Sequence, residues 1–183
     1  MKTLIAIVLV GAASVFGAGH SEAAATPAAK AAYRQAQDSA AADYALARAR
    51  CKSITGNPNA VCEAEAKAQR VRADEEATAF YKNTLKAYTQ SRLRIASANF
   101  DLDKVKCAAL DGNARDVCVK QAKATLVAAH ADAKADKKAI EARADARDDK
   151  RDADYAVAKE KCDAFSGPRK DSCVAAAKLQ FSQ

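Results

Sequence analysis

CKSITGNPNAVC, residues 51–62, is one of three related stretches that decide the fold of this chain. The other two are CAALDGNARDVC at residues 107–118 and CDAFSGPRKDSC at residues 162–173. Each copy has a glycine five positions after its first cysteine and a second cysteine six positions later, and an aromatic residue precedes the first cysteine by seven. The three occurrences indicate an internal repeat.

Each copy predicts a helix, a tight turn and a second helix. Glycine accepts the left-handed backbone conformation in which many helices end, so we expect Gly56, Gly112 and Gly167 to end the first helix of each unit. Asn57 and Asn113, the residues that follow the first two glycines, are typical helix N-caps. On this interpretation the two cysteines of a copy face each other at a similar height above the turn.

The cysteines are expected to form disulfides. Their number is six, and an even number in an exported chain is typical of a disulfide framework. The repeat selects one set of pairs, Cys51–Cys62, Cys107–Cys118 and Cys162–Cys173. Each bond should stabilise the fold by ~2–3 kcal/mol, because it closes a loop of about a dozen residues. Metal binding is the alternative, but each copy offers two thiolates where structural zinc takes four ligands, so we predict no metal and no cofactor.

The first 23 residues have the features of a secretory signal peptide. Met1-Lys2 gives a basic start, an apolar run extends over residues 4–17, and small residues follow at the cleavage positions. The run is too short for a membrane-spanning helix, and no later stretch is apolar enough to be one. We therefore predict a periplasmic mature chain over residues 24–183, with no transmembrane segment.

The expected fold class is all-α, an elongated set of antiparallel helical hairpins or a coiled coil, with each turn clamped by a disulfide. Three hairpin units are expected at about residues 44–67, 100–123 and 155–178. Four helices are predicted, and they cover residues 27–54, 59–110, 114–165 and 169–183.

The arrangement of these helices is predicted from the absence of glycine and proline between the turns. The two long helices should run antiparallel, and the short terminal helices should pack beside the end that carries the first and third turns. The alternative arrangement bends each long helix midway and stacks three hairpins.

One apolar stripe predicts a coiled-coil seam. It repeats every seven residues, at Tyr81, Tyr88, Ile95, Leu102 and Ala109. An upstream stripe in a shifted register predicts a bend near residues 74–78.

The helix expected opposite this stripe is highly charged. Residues 131–154 hold fifteen charged side chains, and Ile140 is their only large apolar residue, so this stretch is either a solvated helix or partly disordered. The poor match leaves a second copy of the chain as an alternative partner for the stripe, and thus self-association as an open prediction.

The net charge of +7 is concentrated at the turns, since residues 48–67, 104–123 and 159–178 carry +2, +3 and +2. These cations predict attachment to an anionic envelope surface such as lipopolysaccharide, phospholipid or peptidoglycan. Helix capping and solubility are the alternative explanation. Nucleic acid is not expected as a partner of an exported chain. The candidate contact residues are Arg48, Arg50, Lys52, Lys104, Lys106, Arg115, Lys120, Lys159, Lys161, Arg169 and Lys170.

Nothing in the sequence predicts an enzyme. His130 is the only histidine beyond the predicted signal region, and on an alanine-rich charged helix it is expected to be a surface residue. No nucleophile, zinc-protease or phosphate-loop motif occurs. The abundant carboxylates fall on predicted exposed helix faces, where nothing would raise a pKa for acid–base chemistry.

The signal peptide, the Ala/Lys/Asp-rich helices and the C-x4-G-x5-C units together resemble a group of exported helical proteins often labelled TolA-like cell-envelope proteins. The likeness to TolA itself is compositional, since its membrane anchor and compact C-terminal domain have no counterpart in this sequence. The resemblance implies a structural or adaptor component of the cell envelope, with envelope proteins or an anionic envelope surface as partner. The alternative function is a periplasmic chaperone or stress-response binding protein.

Overall fold

The computed structural model describes residues 26–182, which form five α-helices and no β-strand. A disulfide closes each of the three cysteine-containing turns in this part of the chain. The predicted all-α, disulfide-clamped class is therefore confirmed, whereas the predicted signal peptide lies outside the described residues. The helices are α1 (Pro27–Cys51), α2 (Asn57–Lys82), α3 (Leu85–Cys107), α4 (Gly112–Cys162) and α5 (Pro168–Phe181).

Consecutive helices pack antiparallel, and each contacts only its neighbours along the chain. α2 lies between α1 and α3, α3 lies between α2 and α4, and α5 contacts α4 alone. Within residues 26–182, no contact joins α1 to α3 or α4. The first four helices therefore form a row rather than a closed bundle.

The predicted helix over residues 59–110 is wrong, because the chain folds back at Asn83 and Thr84. Asn83 ends α2 in the left-handed conformation, with φ of 45°, and its amide donates to the Ala79 carbonyl. Thr84 then caps α3 by accepting a hydrogen bond from the Ala87 amide at 3.1 Å. Asparagine tolerates the left-handed region and threonine is a good N-cap, so no glycine or proline is needed. The break lies beyond the bend expected at residues 74–78.

The fold-back changes which turns lie together. Lys106 forms a 3.4 Å ion pair with Glu65, which joins the helix ends beside the second and first turns. The third turn lies at the distant end of α4, which is about 77 Å long at 1.5 Å per residue. The prediction that the first and third turns share one end is therefore wrong, since α3 returns the chain to its starting end.

α4 is a single helix of 51 residues, and its charged portion is solvated on all sides. Every residue from 138 to 154 is exposed except the half-buried Ala144. Of the two expectations for the charged stretch, a solvated helix and a partly disordered one, the structure has the helix.

The core is built largely from alanine. Leu126 is the only buried large aliphatic side chain among residues 26–182, and the first cysteine of each disulfide is fully buried. Alanine allows helices to approach closely but buries little area, and burial yields only about 25 cal/mol per Å². The disulfides therefore supply stability that the small buried area of this core does not. The buried alanines are Ala40, Ala66, Ala68, Ala79, Ala87, Ala122, Ala133 and Ala177.

Candidate functional site at the disulfide-closed turns

The three predicted cysteine pairs are all present, and their geometries agree closely. The Cα–Cα distances are 5.7 Å for Cys51–Cys62 and 5.6 Å for both Cys107–Cys118 and Cys162–Cys173. These values lie within the usual range for a disulfide, about 4.4–6.8 Å. The bonds hold two antiparallel helix ends together at the base of each turn.

The helix before each turn ends at the first cysteine, three residues earlier than predicted. In every copy the amide three positions further on donates to the carbonyl of that cysteine, at 3.0 Å for Ile54, 3.1 Å for Leu110 and 3.0 Å for Phe165. This bond tightens the backbone as it leaves the helix. The turn therefore starts at the disulfide itself.

The turn glycines begin the second helix rather than ending the first, which corrects the prediction. Gly56 and Gly167 are the N-caps of α2 and α5, and Gly112 is the first residue of α4. Their φ values of 70°, 57° and 53° explain the residue type, because side chains rarely adopt this region. Because glycine has no side chain, Gly56 and Gly167 make no side-chain hydrogen bond to the helices they begin.

The predicted asparagine caps are also wrong. Asn57 lies inside the first turn of α2, and Asn113 follows Gly112 inside α4, whose N-cap is Asp111. A residue that the sequence analysis missed holds the first turn instead, since Asn59 donates from Nδ2 to the Cys51 carbonyl at 2.7 Å. The equivalent positions in the other copies are Arg115 and Lys170.

Several of the predicted contact cations form ion pairs with neighbouring carboxylates. Arg48 lies 3.6 Å from Glu63 across the first disulfide, and Lys106 lies 3.4 Å from Glu65. Lys104 pairs with Asp101 at 2.9 Å on its own helix. These exposed pairs order the side chains and reduce the charge that each offers to a partner.

Aromatic rings hold further cations at the turns. The Lys104 and Lys123 ammonium groups lie 4.8 Å and 5.4 Å from the centre of the Phe100 ring. The Arg169 guanidinium lies 4.6 Å from the centre of Phe165. Such contacts orient a cation and leave its charge in place.

Asp163 and Lys170 form a 2.7 Å ion pair across the third turn. The hydrogen bond and charge of Lys170 lower the pKa of Asp163, and Lys159 contributes in the same direction. The same bond raises the pKa of Lys170, with smaller contributions from Asp171 and Glu160. Both groups therefore stay charged over a wider pH range than usual.

Each turn also carries exposed cations from the predicted contact set that have no carboxylate within 4.0 Å in the described chain. Because the first and second turns share one end of the row, four such cations are gathered there. The third turn presents three at the distant end of α4. These cations are Arg50 and Lys52 at the first turn, Arg115 and Lys120 at the second, and Lys159, Lys161 and Arg169 at the third.

A second feature, an open apolar groove of about 700 Å³ between α2 and α4, has α3 as its floor. Phe80 and Tyr88 line it and are exposed by 79% and 42%. Ile95 and Leu126 complete its apolar surface, while the flanking Arg92 forms an ion pair with Asp136. The groove joins three helices, so it could not be identified before the fold-back was known.

The predicted coiled-coil seam is not a single surface. Tyr81 stacks on Tyr33 of α1 with ring centres 4.6 Å apart, whereas Tyr88 and Ile95 line the groove described above. Leu102 lines a smaller cavity between α1, α2 and α3. The fold-back separates Tyr81 from the other residues of the stripe, which explains the error.

His130 is half-buried rather than on the surface as expected. Its Nε2 lies 3.1 Å from the Leu93 carbonyl oxygen, which places it in the contact between α3 and α4. In residues 26–182, no three His, Cys, Asp or Glu side chains are grouped so that they could hold a metal ion.

No helix of the described chain has the combination of length and apolar composition that crossing a membrane requires. The three disulfides indicate an oxidising, exported environment. No protein-family model, curated protein or solved structure matches this chain.

Proposed function

We propose that this protein is a non-enzymatic structural or adaptor component of the Gram-negative cell envelope, located in the periplasm. It attaches through its basic turns to anionic, phosphate-bearing lipid surfaces, and its helices are available to envelope proteins. The resemblance to TolA-like envelope proteins and the oxidising environment that the disulfides require support this assignment.

The observation that carries the proposal is the position of the first two turns. Residues 48–67 and 104–123 carry net charges of +2 and +3. The fold-back at Asn83 places them at one end of the molecule. A surface of fixed negative charge attracts a cluster of cations more strongly than scattered ones, and the attraction falls off within about 8 Å at physiological salt.

The residue types at this end suit a phosphate partner. Arg50 and Arg115 present planar guanidinium groups, which bind two phosphate oxygens at once. Lys52 and Lys120 supply point charges beside them. None of the four has a carboxylate within 4.0 Å in residues 26–182, so binding does not require an existing ion pair to break.

Co-sedimentation of the intact protein with vesicles tests the proposal. We expect binding to vesicles rich in phosphatidylglycerol, little binding to phosphatidylcholine vesicles, and release as salt is raised. The test variant replaces Arg50, Lys52, Arg115 and Lys120 with glutamine. Each cation lost should weaken binding about fivefold, because a basic residue near an anionic membrane contributes on the order of 1 kcal/mol.

A matched control removes four cations from the solvated part of α4 instead. The replaced residues are Lys138, Arg143, Arg147 and Lys150, all exposed. The net charge changes equally in the two variants, so a difference between them reports position rather than total charge. Equal weakening, or binding to isolated peptidoglycan but not to vesicles, would contradict the proposal.

The apolar groove favours a second candidate function, a chaperone that binds exposed apolar segments of exported polypeptides. The two cations at its rim pair within the protein, Arg72 with Glu76 and Arg92 with Asp136. The exposed Phe80 and Tyr88 rings favour apolar surface as its occupant. If this function holds, the protein suppresses aggregation of an unfolded client, and Phe80→Ser weakens that suppression while leaving vesicle binding unchanged.

A further inference from the structure

The third turn is separated from the other two by the stretch of α4 that lies between its contacts with α3 and with α5. Arg92 reaches Asp136 from α3 at 2.6 Å, and Tyr155 contacts Phe181 of α5 with ring centres 6.4 Å apart. The intervening residues 138–154 are exposed, apart from the half-buried Ala144. At 1.5 Å per residue this stretch is about 25 Å long.

The composition of residues 138–154, here called the spacer, suits a helix that stands in water. It contains no glycine or proline, and its only large apolar residue, Ile140, is 47% exposed. Lys137 pairs with Glu141 at 2.6 Å, and Arg151 pairs with Asp148 at 2.8 Å. Such pairs three or four residues apart stabilise an isolated helix.

The charge distribution makes the two ends of the molecule alike and the spacer different. The spacer holds six acidic and five basic residues and is nearly neutral. Beyond it, residues 159–178 carry +2, with Lys159 and Lys161 exposed and without a carboxylate within 4.0 Å. Cys118 of the second turn and Cys162 of the third lie about 66 Å apart along α4, many times the ~8 Å screening length at physiological salt. The charges at one end therefore exert almost no force on those at the other.

We propose that the protein bridges two anionic lipid surfaces. The first and second turns attach to one surface and the third turn attaches to the other, with the spacer holding them apart. This inference rests on the proposed function and adds a second contact to it. The nearly neutral spacer adds no net attraction to such a surface, so the charge that favours attachment lies at the two ends alone.

Two measurements on the same phosphatidylglycerol vesicles separate bridging from binding. Co-sedimentation reports attachment, and light scattering reports the joining of vesicles. We expect the intact protein to bind vesicles and to raise their scattering at low protein coverage. The third-turn variant, Lys159→Gln with Lys161→Gln and Arg169→Gln, should still bind through the opposite end but lose most of the increase in scattering.

The matched control replaces Lys138, Arg143 and Lys150 of the spacer with glutamine, which removes the same charge. It should join vesicles as the unchanged protein does. Scattering that persists in the third-turn variant would overturn the bridging model, as would binding by the intact protein with no increase in scattering. Absence of any vesicle binding would overturn the proposed function as well.

Discussion

Two segments of 51 residues connect consecutive turns, and they fold differently. Asn57–Cys107 folds back on itself as α2 and α3, whereas Gly112–Cys162 is the single helix α4. The fold-back occurs at Asn83 and Thr84, and the corresponding positions 55 residues later are Lys138 and Ala139. Lysine and alanine favour continuation of a helix. Local residue choice is one cause of the difference.

The second cause is the apolar surface that each segment can bury. Ile95 and Leu102 of α3 are half-buried against neighbouring helices. The second half of α4 has only Ile140 to offer before Tyr155, and folding back would bury charges instead. One repeated unit thus gives a packed row of helices in one place and a solvated helix in another.

The largest effect is expected from removing the third disulfide by Cys162→Ser with Cys173→Ser. The loss should be ~2–3 kcal/mol, and it should fall on α5, which has 14 residues and contacts only α4. Helices this short are marginal alone. Hydrogen exchange should show that residues 168–181 lose protection while α2 and α3 keep theirs.

The control for that prediction is Cys51→Ser with Cys62→Ser in the folded-back region. There, α1 and α2 remain joined along their lengths, for example by the stacked Tyr33 and Tyr81 rings. Their protection should decrease only modestly. Full protection of α5 without its disulfide would show that packing, rather than the covalent bond, holds it.

Isoleucine truncation compares the two segments directly. Ile95→Ala should lower the free energy of unfolding by about 1–2 kcal/mol, less than a fully buried isoleucine, because the side chain is half-buried. Ile140→Ala should change it by less than about 0.5 kcal/mol, since that side chain is 47% exposed. Urea denaturation measures both. Equal losses would mean that the spacer packs against something, in the monomer or in a second copy.

Thr84→Ala tests the local contribution to the fold-back. It removes the hydrogen bond that the Ala87 amide donates to Thr84 Oγ1 and should cost about 1 kcal/mol. Thr125→Ala, on the continuous helix, should be neutral or slightly stabilising because alanine is the better helix former. Thermal denaturation of the two variants gives the comparison. If Thr84→Ala left the stability unchanged, packing alone would account for the break.

The smallest effect is the pH dependence of the third turn. The lowered pKa of Asp163 means that its pair with Lys170 stabilises the turn above the usual carboxyl pKa of about 3.9 and is lost as the pH falls through the folded value. The raised pKa of Lys170 means that the contribution is present below about 10.4 and is lost as the pH rises through its folded value.

Amide exchange in α5, corrected for intrinsic rates, should therefore accelerate below about pH 4. Asp163→Asn should remove this acid dependence and leave the exchange of α1 unchanged. Acid dependence that persists in the variant would contradict the assignment of the effect to Asp163.

The spacing of cysteines predicted the disulfides and the turns, because a fixed interval around a glycine leaves few geometries open. It did not predict that the glycines start helices, because a residue in the left-handed conformation can either end the first helix of a turn or precede the second. The helix break at Asn83 could not be predicted from glycine or proline, because neither residue occurs there. The seven-residue stripe continued across it and suggested an unbroken helix.

The candidate cations were identified from sequence, but their grouping was not. Pairing of Lys106 with Glu65 depends on a contact between α2 and α3, which no disulfide-closed turn joins, and the fold-back creates it. The groove around Phe80 and Leu126 depends on the same event. A sequence can therefore assign charge to a turn without showing which turns act together.

Lysine crosslinking of the monomeric, disulfide-intact protein tests the central claim most directly. With a short amine-reactive reagent, the account predicts links from Lys67 to Lys104 or Lys106, because Glu65 and Lys106 form an ion pair. It predicts none from these residues to Lys159 or Lys161 at the distant end of α4. Links between Lys52 and Lys161 would place the first and third turns together and contradict the account.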